Sequence, residues 1–164
     1  SIKKGYVVYD NQKEADHTTA EAANLLNERG ITSSTNYAVW ISTYSQSAYL
    51  LYSPTKGAKR DWVIASSAGK GISAANAKWI IATGQLRTPT TTATNDQKYI
   101  KKRVKKRHGV VCWSVFHSWT SIHGKFSKWP ALGKPASNGC CRSPNEQAKW
   151  FYNNVPMKTR IVIY

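Results

Sequence analysis

Short runs of β-branched and aromatic residues, each ended by small or turn-forming residues, recur along most of this chain. Side chains of these types fit a pleated, half-buried surface, so the pattern predicts strands. The runs occupy residues 37–44, 48–52, 62–65, 79–82, 110–122 and 160–164. The first two are separated only by Ser45-Gln46-Ser47, which predicts a hairpin. Residues 66–78 are small and polar and predict a loop.

Two segments carry helical signals instead. Residues 18–29 begin with Thr18 and Glu21 in capping-box spacing and end before Gly30. Residues 146–153 follow Pro144, a residue common near helix starts. The chain is therefore expected to be mainly β with two short helices, while the order of the strands does not follow from the pattern.

The cysteine content narrows the chemistry. There are three cysteines, and Cys140 and Cys141 are adjacent, so a disulfide scaffold is not expected and at least one thiol is free. The chain lacks a CxxC pair, which makes a structural zinc site improbable. The 164 residues fit one domain, and no apolar run approaches the ~18 residues of a membrane span. Residues 1–9 lack an apolar leader, so we expect a mature or trimmed product.

The formal net charge is +16, which predicts attraction to polyanions. The densest basic stretch is residues 98–107, which we interpret either as a solvated strand edge or as a contact for an anionic polymer. Neither the interleaved aromatic residues nor a recognisable module of nucleic-acid binding is present, so no nucleic acid is expected as a partner. The basic residues of this stretch that could contact an anionic polymer are Lys101, Lys102, Arg103, Lys105, Lys106 and Arg107.

Residues 137–142, SNGCCR, hold the most reactive combination in the chain. Asn138 and Gly139 allow unusual backbone dihedrals, so a turn there can direct successive N–H groups at one point, as an oxyanion site requires. Cys140 ends that turn, and His123 lies upstream as a possible base. The alternative is a buried cysteine beside an ordinary turn.

These residues also resemble a known family. Residues 122–124 (IHG) and 132–142 (LGKPASNGCCR) resemble the signature of the L,D-transpeptidase catalytic domain, in which IHG is followed by SHGC, Ile or Val, and Arg. The family's closing helix and strand, its opening hairpin with a central glutamine and its TG…TPTG element have similar counterparts. These counterparts are residues 145–164, Gln46 within residues 37–52, Thr83-Gly84 and Thr88-Pro89-Thr90.

The chain is thus identified as a divergent member, with residues 37–164 as the catalytic domain and residues 1–36 as an N-terminal extension whose short helix packs on it. It departs from the signature at three positions. Asn138 stands at the usual histidine, Cys141 at an aliphatic residue and Thr91 at the glycine of TPTG.

The resemblance implies an L,D-transpeptidase-like β-sandwich with a mixed sheet and short helices. It also implies a peptidoglycan L,D-transpeptidase that forms 3→3 cross-links without metal or cofactor. Cys140 would attack the amide before the terminal D-Ala of a tetrapeptide stem, with His123 as the base and the Gly124 carbonyl holding its imidazole. The backbone N–H groups of Asn138, Gly139 and Cys140 would form the oxyanion hole, and carbapenem-type lactams would acylate the same thiol.

The remaining site residues follow from the same resemblance and from position. Arg142 would face a substrate carboxylate or brace the loop, and Ser137, Trp119 and Trp129 would contact substrate. His117 is the alternative base, although its flanking residues do not match the motif. The implied location is extracellular, in a bacterial cell wall or envelope, with anionic wall polymers as possible partners of the basic stretch. The alternatives are an L,D-carboxypeptidase and an inactive basic wall-binding module.

Overall fold

The computed structural model of the chain describes residues 19–55, 60–84 and 98–164. Predictions about residues 1–18 and 88–91 lie outside these residues. The helices are α1 (Thr19–Glu28), α2 (Ala74–Ala77) and α3 (Asn145–Asn154), with a 3₁₀ turn at Ala65–Ser67. The strands are β1 (Tyr37–Ser42), β2 (Ser47–Tyr52), β3 (Val63–Ile64), β4 (Lys78–Ile80), β5 (Lys102–Arg107), β6 (Val110–His117), β7 (Thr120–His123), β8 (Cys141–Arg142) and β9 (Arg160–Ile163).

The first sheet has the order β3-β2-β1-β9, and β4 also pairs with β2. The predicted hairpin is confirmed, because β1 and β2 pair antiparallel with Tyr37 opposite Tyr52 and Ser42 opposite Ser47. The C-terminal strand β9 pairs parallel with β1. All four residues of β9 are buried, as expected for a continuous β-branched run in a covered parallel pair.

The second sheet has the order β5-β6-β7-β8. Its first three strands are antiparallel neighbours, whereas β7 and β8 run parallel, with Ile122 opposite Cys141 and His123 opposite Arg142. Since side chains alternate between the two faces of a strand, Ile122 and Cys141 share one face, and His123 and Arg142 share the other. This register fixes the positions of the motif residues.

The main core lies between the two sheets and is closed by α3. It includes Leu50 from the first sheet, Phe116 and Cys141 from the second, and Phe151 from α3. A separate cluster packs α1 through Leu26 onto the other face of the first sheet. The expected mainly β sandwich with mixed sheets and short helices is confirmed.

Several boundaries differ from the expectations. The run at residues 62–65 pairs only over β3, because Trp62 turns into the core and donates its Nε1–H to the carbonyl of Ile31 (2.9 Å). The loop at residues 66–78 contains α2, whose first turn is capped by Ser73 through the N–H of Asn76. The run at residues 110–122 divides into two strands at Ser118, whose φ is 51°. In the described residues no helix is long and apolar enough to cross a membrane.

Candidate active site

A closed turn places Cys140 immediately before β8. The hydroxyl of Ser137 donates to the carbonyl of Cys140 (2.5 Å) and accepts from the N–H of Gly139 (3.1 Å). Gly139 has φ 145°, in the region that side chains rarely adopt, so the turn requires glycine there. Because the Ser137 hydroxyl is occupied in both directions, we expect it to hold the loop. The predicted contact of Ser137 with substrate stays a prediction.

The approach to this turn is held from the first sheet. Gln46 lies in the hairpin between β1 and β2, 2% exposed, and its side-chain NH₂ donates to the Thr83 hydroxyl (2.7 Å). The Gln46 side-chain carbonyl in turn accepts from the Thr83 N–H (2.8 Å). The Thr83 carbonyl then accepts from the N–H groups of Ala136 (2.9 Å) and Ser137 (3.1 Å). The nucleophile loop is therefore anchored to the opposite sheet through two residues.

The sheet register brings Cys140 and His123 onto one face. Extending the β7–β8 pairing by one residue puts Cys140 beside Ser121, so Cys140 and His123 are diagonal neighbours on adjacent strands. The next residue, Cys141, points to the opposite face and is 1% exposed in the main core.

Both residues line a groove of about 410 Å³ on the outer face of the second sheet. Three tryptophans contribute to its walls, and no acidic residue lines it among the residues that the structure describes. These are Arg107, Trp113, Trp119, Thr120, His123, Trp129, Ser137, Asn138, Gly139, Cys140 and Arg142.

His123 is positioned as a neutral base. Its Nδ1 lies 2.6 Å from the carbonyl oxygen of Gly124. A carbonyl only accepts, so Nδ1 carries the proton and Nε2 keeps its lone pair. The ring is 4% exposed and lies 4.3 Å from the Trp113 ring, centroid to centroid. Burial lowers the pKa of His123 to about 4, against the opposing effect of the Gly124 hydrogen bond. The imidazole is thus uncharged at neutral pH.

The Cys140 thiol is also neutral at rest. Desolvation raises its pKa, and this outweighs the lowering effects of a backbone hydrogen bond from Ser121 and of the charges on Arg107 and Arg142. The sulfur is half-buried and lies 3.5 Å from the carbonyl oxygen of Trp119. This carbonyl accepts from the thiol, so transfer of the thiol proton to Nε2 of His123 requires the S–H to turn away from Trp119. A neutral thiol and a neutral imidazole in one groove can react in this way without a preformed ion pair.

Arg142 contributes through its backbone and its side chain to different parts of the site, and its predicted contact with a substrate carboxylate stays a prediction. Its backbone pairs with Ala82 in both directions (2.9 and 3.0 Å), which braces the second sheet against the segment after β4. Its guanidinium carbon lies 3.8 Å from the centroid of the Trp129 ring, and its buried Nε has no hydrogen-bond partner. The side chain therefore retains donor capacity at the edge of the groove.

The structure brings the predicted site residues together. Every residue predicted to be catalytic, oxyanion-forming or substrate-binding lines the groove, except Gly124, whose carbonyl holds His123 from behind. The alternative base, His117, ends β6 and is absent from the groove lining. The Gly139 N–H already donates to Ser137, so oxyanion binding at that group would require this bond to open.

Sequence reasoning missed Arg107, Trp113 and Thr120 as groove residues. Arg107 ends β5 and was grouped with the basic stretch, but its guanidinium carbon lies 3.7 Å from the centroid of the Trp119 ring. Trp113 occupies the same face of β6 as Val115, two residues on, so the period of two is the signal that could have found it.

The basic stretch divides into separate environments. It forms the edge strand β5, as one of its two interpretations proposed. Arg103 donates to the carbonyls of Val155 and Phe151 at the end of α3, and is therefore largely structural. Lys105 and Lys106 line a cavity on the other face of the sheet, beside α3. In the described part of the chain no cluster of three or more potential metal ligands occurs.

Comparisons with known proteins agree with this geometry. The sequence model described as YkuD, L,D-transpeptidase catalytic domain, matches residues 6–163. No curated protein matches the chain. Among solved structures, a fused Zn-dependent amidase/peptidase/peptidoglycan-binding domain-containing protein from Clostridium acetobutylicum ATCC 824 is 16% identical with a TM-score of 0.63, over 96% of this chain and 65% of that one.

An L,D-transpeptidase from Mycobacterium tuberculosis H37Rv is 16% identical with a TM-score of 0.57, over 79% of this chain and 57% of that one. L,D-transpeptidase 3 from Mycobacterium tuberculosis, in complex with a faropenem-derived adduct, is 15% identical with a TM-score of 0.56, over 78% and 60%. The chain thus spans less than two thirds of the length of these proteins, and at these identities the likeness concerns the fold.

The family match extends over nearly all of the chain, including part of the segment assigned to an N-terminal extension. The boundary at residue 36 stays a prediction. The chain belongs to the YkuD family of L,D-transpeptidase catalytic domains.

Proposed function

We propose that the chain is a peptidoglycan L,D-transpeptidase that forms 3→3 cross-links through an acyl-enzyme on Cys140. The observation that carries the proposal is that the half-buried Cys140 thiol and the neutral His123 imidazole line the same groove, at diagonal positions where β7 meets the residue before β8. Nδ1 of His123 is held by the Gly124 carbonyl, which leaves Nε2 as the available base on that ring.

In the first half-reaction the Cys140 sulfur attacks the carbonyl carbon that precedes the terminal D-Ala of a tetrapeptide stem. The thiol proton moves to Nε2 of His123, and the N–H groups of Cys140 and Asn138 stabilise the developing oxyanion. The C–N bond then breaks, and the D-Ala nitrogen takes the proton from Nε2. The products are free D-Ala and a thioester.

In the second half-reaction the amine of an acceptor stem attacks the thioester carbonyl. Nε2 of His123 accepts a proton from the amine, the C–S bond breaks, and the proton passes to the departing sulfur. A new amide links the stems, and the neutral thiol is restored. If water replaces the amine, the product is a tripeptide, which is the L,D-carboxypeptidase alternative.

The family's association with the cell wall supports an envelope location and peptidoglycan stems as substrates. Because a homologous L,D-transpeptidase is known with a faropenem-derived adduct, we expect a lactam of the carbapenem type to acylate Cys140. The exposed lysines of β5 and its approach are proposed to bind anionic wall polymers, with Lys101, Lys105 and Lys106 as the contacts furthest from the groove chemistry.

The test is incubation of the purified protein with a disaccharide-tetrapeptide, followed by mass spectrometry of the products. A cross-linked dimer with loss of D-Ala supports the transpeptidase. A tripeptide monomer alone would assign the carboxypeptidase, and unchanged substrate would leave only a wall-binding module. Cys140→Ala is the matched negative control, since the loop hydrogen bonds of Ser137 involve only the backbone of residue 140.

A further inference from the structure

The groove carries a second cationic position that the proposed chemistry does not use. Arg107 ends β5, and its guanidinium carbon lies 3.7 Å from the centroid of the Trp119 ring and 5.3 Å from that of Trp113. The ammonium of Lys102 lies 4.3 Å from the Trp119 centroid. Trp119 is 40% exposed, so this cluster is open to a ligand.

A matching pair lies elsewhere in the same groove, where Arg142 stacks on Trp129 at 3.8 Å. Arg107 and Arg142 both lower the pKa of Cys140 by their charge, which places both guanidinium groups in electrostatic reach of the sulfur. Among the residues that the structure describes, none that lines the groove is acidic. These described residues therefore supply no carboxylate to either cation within the groove.

A guanidinium held flat on an aromatic ring loses little further freedom when it binds a planar anion, and its fork matches a carboxylate. Two such groups around one nucleophile suit a ligand with two carboxylates. One carboxylate is already expected at Arg142, the terminal carboxylate of the departing residue. The proposed reaction assigns no substrate group to Arg107.

We propose that Arg107, assisted by Lys102, binds a second carboxylate of the stem, so that the groove selects stems whose side carboxylate is free rather than amidated. The assignment rests on the proposed function, and it makes Arg107 a specificity residue. A carboxamide at this position would lose the charge-assisted pair and place an NH₂ group against a cation, which disfavours the amidated stem.

The experiment compares two synthetic tetrapeptide stems that differ only in one side carboxylate, free or amidated, at fixed ionic strength. The parent protein should favour the free acid in kcat/KM by roughly ten-fold or more, as for the loss of one charged hydrogen bond. Arg107→Gln should remove the preference by raising KM for the acid more than for the amide, and Arg107→Lys should restore part of it. Lys105→Gln removes the same charge from the same strand outside the groove and should keep the preference.

Equal turnover of the two stems by the parent would overturn the proposal, as would an equal loss on both stems in Arg107→Gln, which would indicate a merely structural role. Binding of both stems to Cys140→Ala, measured by calorimetry, separates this inference from the proposed reaction. A preference for the acid that depends on Arg107 supports the carboxylate site even if neither stem is turned over, whereas turnover without any binding preference supports the reaction and refutes the site.

Discussion

Cys140 and Cys141 are consecutive in the chain yet lie on opposite faces of the same sheet. Cys140 opens into the groove, whereas Cys141 packs in the main core with Phe116 and Ile122. Burial raises the pKa of the Cys141 thiol, which disfavours its thiolate form. Only one of the two adjacent thiols is thus available for nucleophilic chemistry.

Replacement of each cysteine should therefore have a different effect. Cys140→Ala should abolish acyl transfer and the mass increase caused by a carbapenem-type lactam, without changing the melting temperature. Cys141→Ala should retain the adduct and most turnover but lose about 1 kcal/mol of stability, since it leaves a small void in the core. Mass spectrometry of digested adducts locates the modified thiol, and modification at Cys112 or Cys141 would contradict the assignment.

The low pKa of His123 predicts a pH-dependent contribution to stability. The unfolded imidazole has a pKa of 6.5 and the folded one about 4, so between these values the unfolded state binds more protons. Stability should be fully present above pH 6.5 and fall as the pH drops towards 4. At about 1.4 kcal/mol per pKa unit, the protein should lose about 2.5 kcal/mol between pH 7 and 4.5 beyond any loss in His123→Gln. If urea titrations show the same loss of stability in the parent and in His123→Gln, folding does not lower the pKa of His123.

Gly124→Ala should displace the carbonyl that holds the His123 ring, although the added methyl group does not contact the ring itself. A Cβ at this position would collide with Oδ1 of Asn145, which accepts the N–H of Lys125, and would lie 3.0 Å from Val111. The displaced carbonyl would release the His123 ring, so kcat should fall and stability should drop by roughly 1–3 kcal/mol.

The matched test of this clash is the double variant Gly124→Ala with Asn145→Ala, compared with Asn145→Ala alone. Removing the obstructing side chain should recover part of the activity lost in Gly124→Ala. No recovery at all would show that the glycine is needed for a reason other than the contact with Asn145.

Asn138 is exposed in the nucleophile turn, so restoring the histidine that is usual in the family should be tolerated. Asn138→His is expected to change kcat or the preference between amine and water, with a melting temperature within about 2 °C of the parent, as for surface changes of ±0.5 kcal/mol. A large fall in melting temperature would instead assign Asn138 a structural function.

Wall adhesion should be separable from catalysis along β5. Replacing Lys101, Lys105 and Lys106 with Gln should weaken binding to a purified anionic wall polymer and flatten its salt dependence, because exposed charges are screened over about 10 Å at 0.1 M salt. Turnover of a small stem should not change, since none of the three lines the catalytic groove. Lys102 is left intact because it contacts Trp119. If polymer binding is unaltered, β5 is only a solvated edge strand and these lysines do not bind the polymer.

The sequence predicted most of the strands and the reactive motif because both are local patterns, whereas the two-residue strand β8 was not predicted. Alternating apolar residues and the SNGCCR turn carry their own signals, and Cys140 and His123 could be paired by resemblance. Arg107 could not be placed in the groove, because its position depends on the pairing of β5 with β6, which no local pattern encodes. For Trp113, the period of two along β6 was a local signal that was not used. The turn at Ser118 was not predicted because its positive φ of 51° is adopted by a serine, whereas a glycine would have indicated a turn at this position.

The amide of Gln46 has a consequence for how this protein can change by mutation. It donates to the Thr43 carbonyl (2.6 Å) and the Thr83 hydroxyl (2.7 Å) while accepting the Thr83 N–H (2.8 Å). A glutamate of the same length would set a carboxylate oxygen against the Thr43 carbonyl, and an aliphatic residue would leave three buried groups unsatisfied. Substitutions at position 46 are thus restricted by a loop on the other sheet that the Gln46 side chain does not contact. A mutation in the hairpin can therefore displace the Cys140 thiol without altering any residue of the groove.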